Sequence, residues 1–284
     1  MNTYSSGWPA PAKLNLFLHI VGRRADGYHL LQTVFQFVDF GDLLSFEINA
    51  TGVIRRTRTL TGVPETDDLA LRAARLLQQE TGSSLGVTIE LDKYIPMGGG
   101  LGGGSSDAAT TLVALNHLWG LGLECDELAA LGLRLGADVP VFVRGQAAWA
   151  EGIGEQLVPI TLEEPWYLVI IPPCQISTQA IFAAPDLTRD SIPIKIRRFQ
   201  AGQGENVCEP VVCRRYPEVA AALTWLSGYA PARMSGTGAA VFAAFADETA
   251  ANVVLAKRPS GWCGFVAKAK NRSPLQDHLA KYER

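Results

Sequence analysis

The chain has 284 residues, 48% of them hydrophobic and 19% charged, with a formal net charge of −3. That is apolar material for one large core or two ordinary ones, and two is the expectation. The slightly acidic balance supplies no basic face against phosphate repulsion, and no apolar run approaches membrane-spanning length, so nucleic acid and membrane are both excluded as partners.

Met1 to Pro9 carries neither the charged nor the apolar stretch of a secretory leader. From Lys13 to Ile20 the pattern has a period of two, which makes a strand. Leu14, Leu16, Leu18 and Ile20 share one face, and Lys13 and Asn15 fall on the other, where edge protection alone could account for them. Asp26-Gly27 is a turn signal that delivers Tyr28 and His29 at a corner, with simple support of the hairpin as the competing reading. Leu31 to Val38 and Leu43 to Ile48 read as two strands separated by Gly41-Asp42. The Arg55-Arg56-Thr57-Arg58 and Lys195-Ile196-Arg197-Arg198 clusters read as solvated loop or edge charges. A helix begins within Pro64 to Asp68 and runs through Gln79, with Leu69, Leu71, Ala73, Leu76 and Leu77 as its stripe and Gly82 as its stop.

The stretch that organises the rest is Pro96-Met97-Gly98-Gly99-Gly100-Leu101-Gly102-Gly103-Gly104-Ser105-Ser106. Glycines leave backbone N–H groups uncovered and permit positive φ, so several amides can converge on one anion, and the expected occupant is a nucleoside triphosphate. An alternating strand, Val87 to Leu91, precedes the loop. Ser105, Ser106 and Asp107 are good N-cap residues for a helix that continues through Ala108, Leu112, Val113, Leu115 and Leu118 to Gly120. The helix end would add its free amides and positive dipole to the site. A Walker A loop is excluded, because Gly104 is followed by Ser105 with no lysine. A dinucleotide fingerprint is excluded by the alternating strand, by Pro96, and by the lack of an acid closing the next strand.

A further helix starts at Asp126-Glu127-Leu128 and ends near Gly136. Beyond it Asp138 lies before a strand expected at Val141, Phe142 and Val143, placed to point out of the scaffold, although a local turn would also explain it. Strand signals persist at Ala147 to Ala150, and the chain is divided into units at 1–161 and 162–284. The second unit reads as a strand from Trp166 to Ile171, a short segment at Thr178 to Phe182, loop and short helix to Glu209, and a helix from Pro217 to Ser227. A second glycine turn, Met234 to Gly238, then precedes a strand to Phe245, a helix after Asp247 and a last strand from Gly264 to Ala269. The cysteines at 125, 174, 208, 213 and 263 are odd in number and lack C-x-x-C spacing, which points to a reducing, cytoplasmic setting without a zinc site.

Pro96 to Ala109 and Ser235-Gly236-Thr237-Gly238 resemble the second and third motifs of the GHMP kinases, the galactokinase, homoserine, mevalonate and phosphomevalonate kinase superfamily. Pro11-Ala12-Lys13-Leu14-Asn15-Leu16, Asp26-Gly27-Tyr28-His29 and Gly136-Ala137-Asp138-Val139-Pro140 narrow the resemblance to the branch acting on 4-diphosphocytidyl-2-C-methyl-D-erythritol. The resemblance implies an α+β fold of two domains, the first like domain 2 of ribosomal protein S5 with a left-handed crossover, the second ferredoxin-like. It implies transfer of the γ-phosphate of ATP, with Mg²⁺, to the acceptor's 2-hydroxyl in the non-mevalonate route to isoprenoid precursors. By the same resemblance Lys13 and Asp138 are the catalytic pair and Pro96 to Ser106 hold the triphosphate. Asn15, Tyr28, His29, Phe182, Gly236 and Thr237 then meet the acceptor, whose cytosine would stack between Tyr28 and Phe182. No certain metal ligand is named; Ser105, Ser106 and Asp107 are candidates. A small-molecule partner and a monomer or weak homodimer are expected. The chain departs from the family in carrying Asp68-Leu69 where Asn-Leu is common, which bears on nucleotide preference.

Overall fold

A long antiparallel hairpin, β1 (Thr3–Arg23) with β2 (His29–Asn49), forms the backbone of the first half. The structure is a computed structural model that describes residues 3–60 and 62–282. The two strands read from Leu31 to Ile48 are one, because Gly41 lets β2 continue where an added Cβ would meet Pro11 Cα at 2.6 Å. The pairing slips at several points along β1, including Pro11/Lys13 and Asn15/Leu18. Each slip re-aims side chains. Lys13 and Asn15 consequently lie inside the molecule, 3% and 4% exposed, and the edge-protection reading fails.

Strand β3 (Ile54–Arg56) runs parallel to β4 (Gly86–Asp92), which pairs antiparallel with β2; helix α1 (Leu69–Thr81) connects them. Both ends of α1 follow the sequence signals. Asp68 Oδ1 accepts from Ala70 N at 2.8 Å and Leu71 N at 3.2 Å, and Gly82 closes the helix at φ 67°. Three helices follow, α2 (Gly103–Leu118), α3 (Cys125–Leu133) and α4 (Val139–Arg144). The last corrects the strand expected at Val141 to Val143. Asp138 occupies the N-cap position and Pro140 the second helical one, while burial on every side removes the polar face that would have shown a helical period. A hairpin of β5 (Ala148–Glu151) and β6 (Gln156–Pro159) completes this half. Its core joins Phe46 and Ile89 from the sheet to Leu71, Leu112, Leu115 and Phe142 from the helices.

The second half contains β7 (Trp166–Ile171), α5 (Thr178–Phe182), α6 (Ile196–Gln200), α7 (Glu209–Arg215) and α8 (Pro217–Ser227). It continues with β8 (Ala232–Met234), β9 (Val241–Phe245), α9 (Glu248–Leu255), β10 (Cys263–Lys270) and α10 (Pro274–Leu279). The antiparallel order β10-β7-β9-β8, with helices inserted after the first and third strands, is the ferredoxin-like pattern. β10 extends past β7 so that Ala269 and Lys270 pair with Val38 and Phe37 of β2, joining both halves in one sheet. Among the described residues no helix is long and apolar enough to cross a membrane.

Candidate active site

The glycine loop is held open by alternation. Gly98, Gly100 and Gly102 sit at φ 74°, 72° and 75°, a region that side chains with a Cβ rarely enter. The loop is also stitched down on two sides. Lys13 N donates to Leu101 O at 3.0 Å, Ala240 N to Gly99 O at 3.1 Å, and Ser235 Oγ to Gly100 O at 3.1 Å. An added Cβ at Gly100 would collide with Ser235 O and stand 2.9 Å from Gly238 O.

Helix α2 starts earlier than the cap residues suggested. Its N-cap is Gly102, without a side-chain cap bond, so the first-turn amides are left for an anion. Ser105, Ser106 and Asp107 therefore lie inside the first turns, and their expected capping role is corrected. Ser106 is fully buried and its Oγ donates to Pro11 O at 2.7 Å, seating the helix on β1. Ser105 lines the cavity under the loop.

That cavity, ≈ 580 Å³, brings Pro96 to Ser105 together with Lys13, Asn15, Asp138, Thr237 and Phe182. Lys13 Nζ lies 3.4 Å from Asp138 Oδ2 and donates to Asn15 Oδ1 at 2.5 Å and Gly100 O at 3.1 Å. These partners match the three protons of an ammonium and fix it in place. Asn15 is itself tied down, through Nδ2 to Thr33 Oγ1 at 2.9 Å. Asp138, 34% exposed, makes no cap bond with its side chain, so its carboxylate is free to meet a ligand. Gly236 and Thr237 come from the second glycine turn, anchored by Asn206 Nδ2 to Gly236 O at 2.7 Å and by Thr178 Oγ1 to Thr237 Oγ1 at 2.9 Å.

The Tyr28-His29 corner stands apart from this centre. Tyr28 is 59% exposed in the turn, and neither it nor His29 lines the cavity. Phe182 stacks on His29 rather than facing Tyr28, with centroids 5.1 Å apart and planes 20° apart.

Sequence reasoning missed two buried charge groups beside the loop. Lys93 Nζ bonds Asp42 Oδ2 at 2.5 Å and Asp107 Oδ2 at 2.7 Å, and Asp42 Oδ1 also accepts from Tyr94 N and Ile95 N. One ammonium faces two carboxylates, and among the described residues Asp107 Oδ1 has no hydrogen-bond partner. Burial pushes the Asp107 carboxyl up to about 8 despite the pull of Lys93. Burial lowers the Lys93 ammonium, but the two carboxylates outweigh it and leave it raised. Both shifts favour the proton, on Asp107 as on the Lys93 ammonium beside it. The second group is Arg56 with Asp68, 2.7 Å apart and each side chain 3% exposed. Arg56 is thus a buried ion partner, contrary to the solvated charge expected. The motif spacing that flagged the loop carries no trace of either group, since the partners in each come from different elements of the fold.

Comparison with known proteins agrees with this geometry. The description "GHMP kinases N terminal domain" matches residues 68–146 and "GHMP kinases C terminal" residues 186–262. The chain is similar to the 4-diphosphocytidyl-2-C-methyl-D-erythritol kinase of Nitrosococcus oceani, 62% identical over 96% of this chain and 98% of that one. The enzyme of the same name from Pseudomonas paraeruginosa is 58% identical over 95% and 96% of the two chains. A crystal structure of 4-(cytidine 5'-diphospho)-2C-methyl-D-erythritol kinase superposes with TM-score 0.78 at 30% identity, covering 94% of this chain and 99% of that chain. The Methanococcus jannaschii mevalonate kinase shares the fold at TM-score 0.65 and 16% identity, over 95% and 99%. The chain belongs to the GHMP kinase family, among the 4-diphosphocytidyl-2-C-methyl-D-erythritol kinases.

Proposed function

We propose that the protein transfers the γ-phosphate of ATP to the 2-hydroxyl of 4-diphosphocytidyl-2-C-methyl-D-erythritol, giving ADP and the 2-phosphate, in the non-mevalonate route to isoprenoid precursors. The observation that carries the chemistry is the Lys13–Asp138 pair, 3.4 Å apart, in the cavity that the glycine loop lines. The acceptor oxygen bonds the γ-phosphorus, the bond to the bridging oxygen breaks with its electrons going to ADP, and the hydroxyl proton passes to Asp138. Lys13 holds that carboxylate and favours negative charge on the attacking oxygen. In a loose transfer state most of the rate comes from aligning the hydroxyl with the phosphoryl group, which fixed partners such as Lys13 and Asn15 serve.

The first-turn amides of α2 and the loop from Pro96 to Ser105 would cradle the triphosphate. Ser105 lines the cavity and offers an oxygen of the kind a hard cation prefers, and Mg²⁺ would be held there mainly by phosphate oxygens. When bound it supplies charge neutralisation of the phosphates. Asp107 is engaged by Lys93 and is not assigned to the metal. At the other end of the acceptor, Tyr28 would hold cytosine by stacking and His29, backed by the Phe182 ring, would bond its edge, with Asn15, Gly236 and Thr237 along the path between. A cytoplasmic monomer or weak homodimer is the working state we propose.

Product ³¹P NMR after incubation with Mg·ATP and the cytidyl acceptor tests this, with mevalonate, homoserine and galactose in parallel. A new phosphomonoester signal with the cytidyl compound alone is expected. Transfer only to another acceptor would overturn the substrate and leave the ATP site standing.

A further inference from the structure

The Arg189 guanidinium ties together two residues that the chain keeps far apart. Its Nε donates to His29 Nε2 at 3.1 Å. Its Nη2 donates to Phe182 O at 2.8 Å and Ala184 O at 2.6 Å, and its Nη1 to Leu187 O at 3.1 Å. Those carbonyls belong to the end of α5 and the turn after it, while His29 opens β2 in the other half of the molecule. The Phe182 ring stacks on the imidazole that the same guanidinium holds.

An arginine has no acceptor, so the nitrogen facing it must carry the lone pair. A neutral imidazole has one donor and one acceptor nitrogen, and committing Nε2 as the acceptor puts the proton on Nδ1. Protonation of the whole ring would set Nε2–H against Arg189 Nε–H. Burial, then the charges of Arg189 and Arg23, hold His29 below its ordinary value of 6.5 and keep it neutral. Among the described residues nothing bonds Nδ1, and no carboxylate pairs with Arg189.

We propose that Arg189 is a positioning residue that fixes His29 as the Nδ1–H tautomer, so that the acceptor's base meets a ring donor. This rests on the base site described under Proposed function and deepens it. A donor facing N3 complements cytosine, whose N3 accepts. Uracil carries N3–H there and would set donor against donor. Discrimination between the two bases thus depends on a residue that need not touch either.

The test uses the full-length enzyme labelled with ¹⁵N on histidine, and His29→Gln assigns the ring signals. Long-range ¹H–¹⁵N correlation reads the tautomer, and titration with cytidine and uridine diphosphates reads the preference. Wild type is expected to show Nδ1–H at His29 and to bind the cytidine compound more tightly. Arg189→Met should give a mixed tautomer and reduce both that preference and affinity for the cytidine compound, by roughly tenfold. KM for the cytidyl acceptor should rise with kcat and KM for ATP little changed, a split that general loss of folding does not produce. Arg189→Lys, which keeps the charge but not the fork, should fall between them and carries the test if the methionine variant does not fold. An unchanged ring signal in the variants sinks the role of Arg189, whatever the wild type prefers. Equal binding of both nucleotides by wild type sinks the base site and the specificity built on it, whatever the ring signals show.

Discussion

The phosphate centre and the Tyr28-His29 corner are built in opposite ways. At the centre, hydrogen bonds from β1, from Ser235 Oγ of the second glycine turn and from Ala240 N just after it converge on consecutive residues of one loop, and Lys13 is 3% exposed with its partners preset. At the corner, Tyr28 is 59% exposed, its amide held by Asp26 Oδ1 at 3.2 Å, and Arg189 makes the link to the second half. On the function we propose, chemistry that needs fixed geometry falls where the core over-determines it, whereas recognition falls on a turn where a few polar contacts suffice. Substitutions in the two regions should therefore separate kcat from acceptor KM.

The largest effect is expected from Asp138→Asn, a fall in kcat of about 10²–10⁴ with acceptor KM nearly unchanged. The fold should persist with some loss of thermal stability, since the side chain makes no cap bond but its charge faces the buried Lys13. Near-normal turnover at saturating substrates would remove Asp138 from its role. Next comes Gly100→Ala, where positive φ and the nearby carbonyls combine, with strain of about 1–3 kcal/mol. ATP KM should rise about tenfold or more if that strain moves the loop. Gly120→Ala is the control, since it has positive φ but open space around it and should lose stability without changing ATP KM. If both glycine variants behave alike in ATP KM, the loop is not held by the contacts described.

Tyr28→Ala sharpens the comparison from the other side. Losing one stacking face is worth about 1–3 kcal/mol, read as an increase in acceptor KM with kcat preserved. A drop confined to kcat would place Tyr28 in the chemistry instead. The remaining test concerns the stability of the fold rather than its kinetics, at Asp107. Its carboxyl rises from 3.8 to about 8 on folding, so within that window the folded chain keeps a proton that the unfolded chain releases. Stability should accordingly fall as pH rises through the window. Asp107→Asn removes this slope, and melting curves recorded from pH 5 to 8 should diverge progressively in the variant's favour. Parallel curves would show that Asp107 is ionised throughout.

Much of the fold was legible because its signals are local. Asp68 and Gly82 cap α1 as their types require, Pro217 to Ser227 forms α8, and the loop glycines adopt the positive φ that gives them their use. The strand expected at Val141 to Val143 is a helix because burial on all sides erases periodicity, leaving a short apolar run that fits either form. Helices α7 and α10 and strand β6 went unread for a related reason: each is a short element whose stability comes from its neighbours.

The candidate site divides along the same line. Residue type and spacing alone determined that a glycine loop opens a helix, and the resemblance is what singled out Lys13 and Asp138 as the proposed catalytic pair. Only the tertiary structure decided that β1 slips register to bury Lys13 and Asn15, that Asp107 faces Lys93 rather than capping α2, and that Arg56 pairs with Asp68. It also placed Arg189 on His29. Caps, turns and glycine conformations are fixed within a few residues and can be read from them, whereas a buried charge takes its partner from whichever segment packing brings alongside it.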